Sequence, residues 1–154
     1  IKYNLSNKKF KNNFIINNFF YKKIYVKKKY DFVIYFRKKS KLNENYIFNI
    51  IKKLNSIGCN IAIIGDKINL KGNKNFGYIS RKKANKIIST SKFSIANPEN
   101  LYSFFVQDCL SNNVKVFYNN FFKKYEIFGK KKMIPIFFKS YEKDFKIINK
   151  NIKK

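Results

Sequence analysis

The sequence predicts an α/β domain in which helices cover both faces of a parallel sheet. Short, uninterrupted apolar runs such as DFVIYF at 31–36 have the length of strands that are buried on both faces. Segments with apolar residues at helical spacing separate these runs, and strands alternating with helices are typical of parallel sheets. The chain has 154 residues, 45% of them apolar, which is enough for one domain with a proper core.

The first half of the patterned region carries three strands, a helix and a helix start. After the strand at 31–36, the segment NYIFNIIKKLNSIG has apolar residues at helical spacing, and Gly58 is placed to end that helix. The run NIAIIGD at 60–66 is a second buried strand that ends in a turn. A short strand is predicted at 75–80, NFGYIS, and Ser80 can cap the helix that follows it.

The second half continues the alternation. Its predicted elements are a strand at 93–97, a helix at 100–112, a strand at 114–118, an apolar run at 133–138 and a terminal helix from about Ser140. Pro135 makes the run at 133–138 either an edge strand or no strand at all. We interpret 1–30 as a linker or the tail of a missing N-terminal domain, 31–139 as a Rossmann-like domain and 140–154 as a C-terminal helix. The start at Ile1 instead of Met indicates a piece of a longer protein.

Charge is the most unusual property of the composition. The chain has 35 Lys and Arg against 8 Asp and Glu, a net charge of +27. Such a charge attracts anions, including nucleic acid, acidic lipid headgroups and phosphorylated small molecules. The excess residues are mainly those that adenine- and thymine-rich codons encode, so drift of solvated positions toward Lys is an equally open explanation.

Several familiar chemistries are excluded. With no His, and with Cys59 and Cys109 far apart, a zinc site and a Ser-His-Asp triad are ruled out, and we expect two buried free thiols in a reducing cytoplasm. There is no GxGxxG, no P-loop and no DxD to hold a metal on a diphosphate. We read EKD at 142–144 as ordinary surface charge. No apolar run could span a membrane and no signal peptide is visible, so a cytoplasmic location is expected.

Ligands of parallel sheets bind at the carboxyl ends of the strands, here called the carboxyl-end rim. The residues predicted at this rim are Arg37, Asp66, Ser80, 97–103 and Tyr118. Exposed amides at a helix start attract phosphate, and an Arg at the same place adds a charge-assisted contact. Glu99 and Asp108 would serve instead as acceptors for sugar or ribose hydroxyls. The rim therefore suits a phosphorylated sugar or nucleotide.

From about Asp31 to Tyr118, the order of elements resembles the C-terminal, donor-binding half of a GT-B glycosyltransferase of the group 1-like, divergent bacterial type. The segment YFRKKSKLNENY is similar to the family's strand end, where an Arg and a following Lys contact the donor diphosphate. Arg37 matches clearly, whereas the Lys is either Lys38 or Lys41. Gly65 and Asp66 resemble the family's Gly-Asp turn. The segment GYIS, with Tyr78 and Ile79, resembles the place where the nucleotide base is seated.

The family's two acids lie eight positions apart, in a loop and in the following helix. Anchoring on VKV at 114–116 places Asp108 at the second acid, which binds ribose, while Glu99 resembles the first acid but is one residue early. Asn100 occupies the strict position. Leu101 and Tyr102 replace the loop glycines. Such loops resemble those of polysaccharide or lipopolysaccharide transferases of small-genome bacteria.

The resemblance implies metal-independent transfer from a nucleotide-diphosphate sugar to a glycan or lipid-linked acceptor. Arg37 and Lys41 would neutralise the leaving group, Glu99 would position the sugar, and Asn100, Tyr102 and Ser103 would line the donor site. No further cofactor is implied. The acceptor site would lie on a preceding domain, so residues 1–154 alone are expected to bind nucleotide weakly and to transfer nothing.

Other interpretations remain open at this stage. Asp108 either binds ribose or pairs with a nearby Lys, Ser103 is also explained by capping, Tyr102 by packing, and Phe104 and Phe105 are assigned to the core. Aromatic–lysine segments at 19–30 and 121–132 favour peripheral contact with the acidic inner face of a membrane. The alternative function is a basic, ribosome-associated RNA-binding protein without catalytic activity. Against it, most aromatics fall at predicted core positions instead of interleaving with Lys.

Overall fold

In the computed structural model of the chain, residues 26–38, 41–98, 103–125 and 132–153 are described. The elements are, in chain order, β1 (Tyr30–Phe36), α1 (Lys41–Ser56), β2 (Ile61–Gly65), β3 (Asn73–Asn75), α2 (Arg81–Ser89), β4 (Ser91–Ile95), α3 (Phe104–Ser111), β5 (Lys115–Asn119), a 3-10 helix (Asn120–Tyr125), β6 (Met133–Ile136) and α4 (Tyr141–Ile152).

All six strands form one parallel sheet in the order β3-β2-β1-β4-β5-β6. At the centre, Val33 of β1 is in register with Ala62 of β2 on one side and Ser94 of β4 on the other. Helices lie on both faces, so the predicted α/β class and its Rossmann-like arrangement are confirmed. The strand order reverses between β1 and β4, which is where such sheets form a ligand crevice.

The two faces of the sheet carry separate apolar cores because successive strand side chains point to opposite sides. Phe32, Ile34 and Phe36 of β1 pack with α1 and α4. Val33, by contrast, packs with α2 and α3 on the other face. On the first face the rings of Phe32, Phe93 and Phe117 stack with centroids 5.5 to 6.2 Å apart, joining β1, β4 and β5. These buried strands explain the continuous apolar runs in the sequence.

Three helices begin at serines whose hydroxyls accept a backbone N–H three residues later. Ser80 accepts from Lys83, Ser103 from Val106 and Ser140 from Lys143, at 3.3 to 3.4 Å. Each cap satisfies one of the unpaired N–H groups of a first helical turn. The predicted helix starts after Ser80 and at about Ser140 are confirmed. The helix predicted at 100–112 is described only from Phe104 to Ser111.

The predictions for two strands had different outcomes. The bounds of the strand expected at 75–80 are wrong, because β3 covers Asn73–Asn75. Just after it, the Phe76 N–H donates to the Ile63 carbonyl and the Gly77 carbonyl accepts from the Gly65 N–H, so the backbone stays beside β2 as far as Gly77. The run at 133–138 does contain a strand, and the edge alternative for Pro135 is confirmed because β6 pairs with β5 alone among the described strands. An edge strand can carry a residue that lacks an N–H donor. The 3-10 helix after β5 was not predicted.

The interpretation of EKD at 142–144 as ordinary surface charge is wrong for Asp144, because the Asp144 side chain is completely buried. Its Oδ1 accepts from the backbone N–H of Phe137 at 2.8 Å. Its Oδ2 accepts from the N–H of Phe138 at 2.7 Å and from the Tyr46 hydroxyl at 2.6 Å. The carboxylate therefore joins α4, the end of β6 and α1 at a single point.

The prediction of two buried free thiols is confirmed. Cys59 and Cys109 are both buried and unpaired. Complete burial raises the pKa of the Cys109 thiol to about 12, so it is protonated at neutral pH. Both side chains act as small apolar groups of the two cores.

Candidate functional site

The candidate site lies at the carboxyl-end rim between β1 and β4, where the strand order reverses. Val33 and Ser94 are in register, and three residues later the two strands lead to Phe36 and Asn97. Arg37 and the loop that precedes α3 therefore leave neighbouring strands at the same edge. Asn119, at the end of β5, donates from Nδ2 to the Pro98 carbonyl at 3.1 Å and anchors the start of that loop. The two predicted strand ends therefore lie side by side at the rim.

Arg37 is exposed at the end of β1. Its guanidinium carbon lies 5.7 Å from the centroid of the Tyr35 ring, within the range of a cation–π contact. Tyr35 in turn packs against Phe105 of α3, with centroids 5.6 Å apart. The Arg37 side chain is therefore supported by an aromatic pair that spans β1 and α3, and it presents its charge at the rim.

The Gly65–Asp66 turn ties the ends of β1 and β2 together. The Asp66 N–H donates to the Phe36 carbonyl and the Gly65 N–H donates to the Gly77 carbonyl, both at 2.9 Å. Gly65 has φ +100, and a Cβ there would clash with the Phe36 carbonyl oxygen. Only glycine allows this close approach of two strand ends.

Replacing Gly65 by alanine should lower the free energy of unfolding by about 3 kcal/mol, because strain from positive φ adds to a backbone clash. Urea unfolding followed by circular dichroism measures this loss. Gly58→Ala is the matched control, since Gly58 has φ +79 but nothing within 4 Å of its Cβ position. We expect it to cost about 1 kcal/mol. Equal losses in the two variants would contradict the close approach at Gly65.

Asp66 organises the backbone around Arg37. Its Oδ2 accepts from the Lys38 N–H and its Oδ1 from the Tyr78 hydroxyl, both at 2.7 Å. The Lys38 hydrogen bond, followed by that of Tyr78, lowers the pKa of Asp66, which keeps the carboxylate ionised. The bond to Asp66 raises the pKa of Tyr78. The Tyr78 ring is 65% exposed and is held in place by its hydroxyl.

Asp108 forms a bidentate ion pair with Arg81, at the start of α2. Arg81 Nε donates to Oδ2 at 2.9 Å, and its Nη2 donates to Oδ1 at 2.7 Å. The Asp108 side chain is 13% exposed and that of Arg81 is 63% exposed. The ion-pair alternative is therefore observed, with Arg81 instead of a Lys as the partner. Each carboxylate oxygen keeps a second lone pair, so the pair leaves acceptor capacity for a ligand.

The assignment of Phe104 to the core is wrong, because its side chain is 71% exposed. Val106, Cys109 and Leu110 form the buried face of α3, and Phe104 lies off that face. The Arg81 guanidinium carbon lies 5.2 Å from the Phe104 ring centroid. Sequence reasoning missed Arg81, although one signal was present: both arginines of this lysine-rich chain lie at the rim.

The other predicted site residues have different positions. Ser103 caps α3, as its alternative explanation held, and Ile79 is half-buried against the core on the α2 side. Tyr118, expected at the rim, is completely buried in β5. Glu99, Asn100, Tyr102 and the side chain of Lys41 lie outside the described residues, although Lys41 is the first residue of α1.

Exposed aromatic rings follow the rim from one edge of the sheet to the other. Four of them lie at or just beyond a strand end, Tyr35, Tyr78, Phe121 and Phe137, and the fifth, Phe104, lies at the start of α3. At about 4.8 Å per strand, the positions from β3 to β6 extend over about 24 Å. Arg37 and Arg81 contact two of these rings. Tyr35 and Phe104 are exceptions to the expectation that most aromatics fall in the core.

The fold is an α/β Rossmann-like domain, and Arg37 is exposed at the point where its strand order reverses. No protein-family model and no curated protein sequence matches the chain. Among the described residues, no three or more His, Cys, Asp or Glu side chains cluster in a way that could hold a metal ion. In the same part of the chain, no helix has both the length and the apolar character needed to cross a membrane.

Proposed function

We propose that the chain is the donor-binding half of a metal-independent glycosyltransferase, and that it binds the nucleoside diphosphate of an activated sugar. The observation that carries this proposal is that Arg37 and Pro98 follow neighbouring strands, β1 and β4, at the place where the strand order reverses. Crevices at such reversals are the usual ligand sites of open parallel sheets. The acceptor, a glycan or a lipid-linked saccharide, would bind to a preceding domain.

Arg37 supports the binding of the diphosphate. A guanidinium grips two phosphate oxygens at once, whereas Lys acts as a point charge. The start of α3 adds backbone N–H groups and the positive end of its dipole beside the same crevice. Cations and amides that are already in place can stabilise the departing diphosphate as charge develops on it, with no proton transfer.

Tyr78 and Asp108 support the binding of the nucleoside. The Tyr78 ring is exposed and fixed by Asp66, so it offers a face on which a base can stack. Asp108 retains lone pairs for a ribose hydroxyl beside its pair with Arg81. Asp66 supports the site by holding its neighbours in place, because one carboxylate oxygen accepts from the backbone N–H of Lys38 and the other from the hydroxyl of Tyr78.

Titration calorimetry of the chain with UDP and with GDP tests the proposal. We expect Arg37→Ala to weaken the preferred nucleotide about 10-fold, as loss of a charge-assisted hydrogen bond at an exposed site predicts. Lys27→Ala is the control, because it removes the same charge from an exposed residue before β1, at the opposite end of the sheet. Absence of binding to both nucleotides, or equal weakening in the two variants, would refute the proposed site.

The exposed aromatic rings favour a second candidate function, the binding of single-stranded RNA without catalysis. Rings on which bases stack, alternating with cations, are typical of such surfaces. The same calorimetry with poly(U) separates the two. RNA binding with a steep dependence on salt, unchanged by Arg37→Ala and unaccompanied by nucleotide binding, would establish the second function in place of the first.

A further inference from the structure

Helices α1 and α4 lie side by side and alone cover one face of the sheet within the described ranges. Ile50 and Leu54 of α1 and Ile148 of α4 share the same core. The hydrogen bond between Tyr46 and the buried Asp144 joins the two helices directly. Their outward sides therefore form one surface, which we call the α1–α4 surface, and which is separate from the carboxyl-end rim.

The outward side of α4 is a continuous stripe of lysine. Lys143, Lys146, Lys150 and Lys153 are all exposed, and their spacing of three, four and three residues places them on one side of the helix. The stripe is about 15 Å long at 1.5 Å per residue. Like charges at these spacings repel one another, so the stripe does not stabilise the helix by itself.

Helix α1 extends this charge. Lys52 and Lys53 are exposed in its second half, and Phe48 is exposed one turn before Lys52. Two acids accompany the six lysines, Glu44 and Glu142. The Glu142 carboxylate accepts from the Ser140 hydroxyl at 2.9 Å, at the start of α4, so it lies at one end of the stripe. The α1–α4 surface is therefore strongly positive.

We infer that the α1–α4 surface docks on an anionic lipid bilayer, with its lysines against the headgroup phosphates. Six lysines against two glutamates complement a negatively charged plane, and each basic residue close to such a surface adds to the attraction. Lysine without arginine provides charge with little demand on geometry. The exposed rings paired with arginine lie instead at the rim, so this surface lacks the alternation that would favour RNA. The inference does not depend on the proposed function.

Two triple variants of the full chain test the inference at equal net charge. Lys143→Gln, Lys146→Gln and Lys150→Gln remove part of the stripe, whereas Lys82→Gln, Lys83→Gln and Lys86→Gln remove three exposed lysines from α2, on the opposite face. Thermal unfolding by circular dichroism checks that both variants are folded. Sedimentation with phosphatidylcholine vesicles that contain about 30 mol% phosphatidylglycerol then measures partitioning, because that lipid supplies the negative surface potential.

We expect the partition coefficient onto the vesicles to fall about 100-fold in the α4 variant. In the α2 variant it should fall by a factor of less than about 5, because only lysines close to the bilayer contribute strongly. The affinity for poly(U) should fall by about the same factor in the two variants, and this factor should be smaller than the loss of vesicle binding in the α4 variant. Three results would each overturn the inference: equal losses of vesicle binding, wild-type binding no tighter than to neutral vesicles, or a loss of poly(U) binding in the α4 variant as large as its loss of vesicle binding.

Discussion

Asp144→Ala should lower the free energy of unfolding by about 4 kcal/mol, the largest loss we expect from any single polar substitution. The carboxylate accepts from two backbone N–H groups and a tyrosine hydroxyl in a place without solvent access. Its removal leaves three donors without a partner, and each buried donor then carries its own desolvation cost. Urea unfolding at pH 7, followed by circular dichroism, measures the loss.

Tyr46→Phe separates the hydroxyl from the backbone contacts. It deletes one donor and leaves both N–H bonds to Asp144 intact, so we expect a loss of about 1 kcal/mol. Burial, with the bond to Asp144, raises the pKa of Tyr46, so the hydroxyl remains a donor across the usable pH range. Glu142→Ala is the control for a charge on the same helix turn, since Glu142 is exposed. A loss in Asp144→Ala no greater than in this control would contradict the structural role.

The sheet, and the edge at which its strands end, could be predicted because they depend on local pattern. Strands buried on both faces must be apolar throughout, so runs such as 31–36 and 60–66 are visible in one dimension. In a parallel sheet all carboxyl ends lie on one edge, so identifying the strands also locates Arg37 and Asp66 at the rim. The neighbouring positions of β1 and β4 then follow from the strand order.

The contacts within the site could not be predicted, because they join residues far apart in the chain. Asp108 and Arg81 are in contact because α2 and α3 pack side by side in the fold. Asp144 is buried because α4 turns that side toward the N–H groups after β6, which no local spacing reveals. Phe104 has the composition of a core residue, yet its place at the first position of α3 turns it outward.

For Asp108, a purely structural ion pair and a contact with ribose predict different effects on nucleotide binding. If Asp108 accepts a ribose hydroxyl, the wild type should bind UDP about 10 to 100 times more tightly than an analogue that lacks the two ribose hydroxyls. Hydrogen bonds to a charged, largely buried acceptor have an effect of this size. GDP replaces UDP in the comparison if the chain prefers guanine. Asp108→Ala should abolish the preference, since no acceptor is left to distinguish the two ligands.

Arg81→Ala is the matched variant, because it breaks the same ion pair while it keeps the carboxylate. We expect it to retain a preference for the ribose ligand, and both variants to lose only about 1 kcal/mol of stability, since Arg81 is largely exposed. A carboxylate that serves only to hold Arg81 would make no distinction between the two nucleotides in any of the three proteins. Calorimetric titration of both ligands into the wild type and the two variants therefore separates a ligand-binding acid from a structural one.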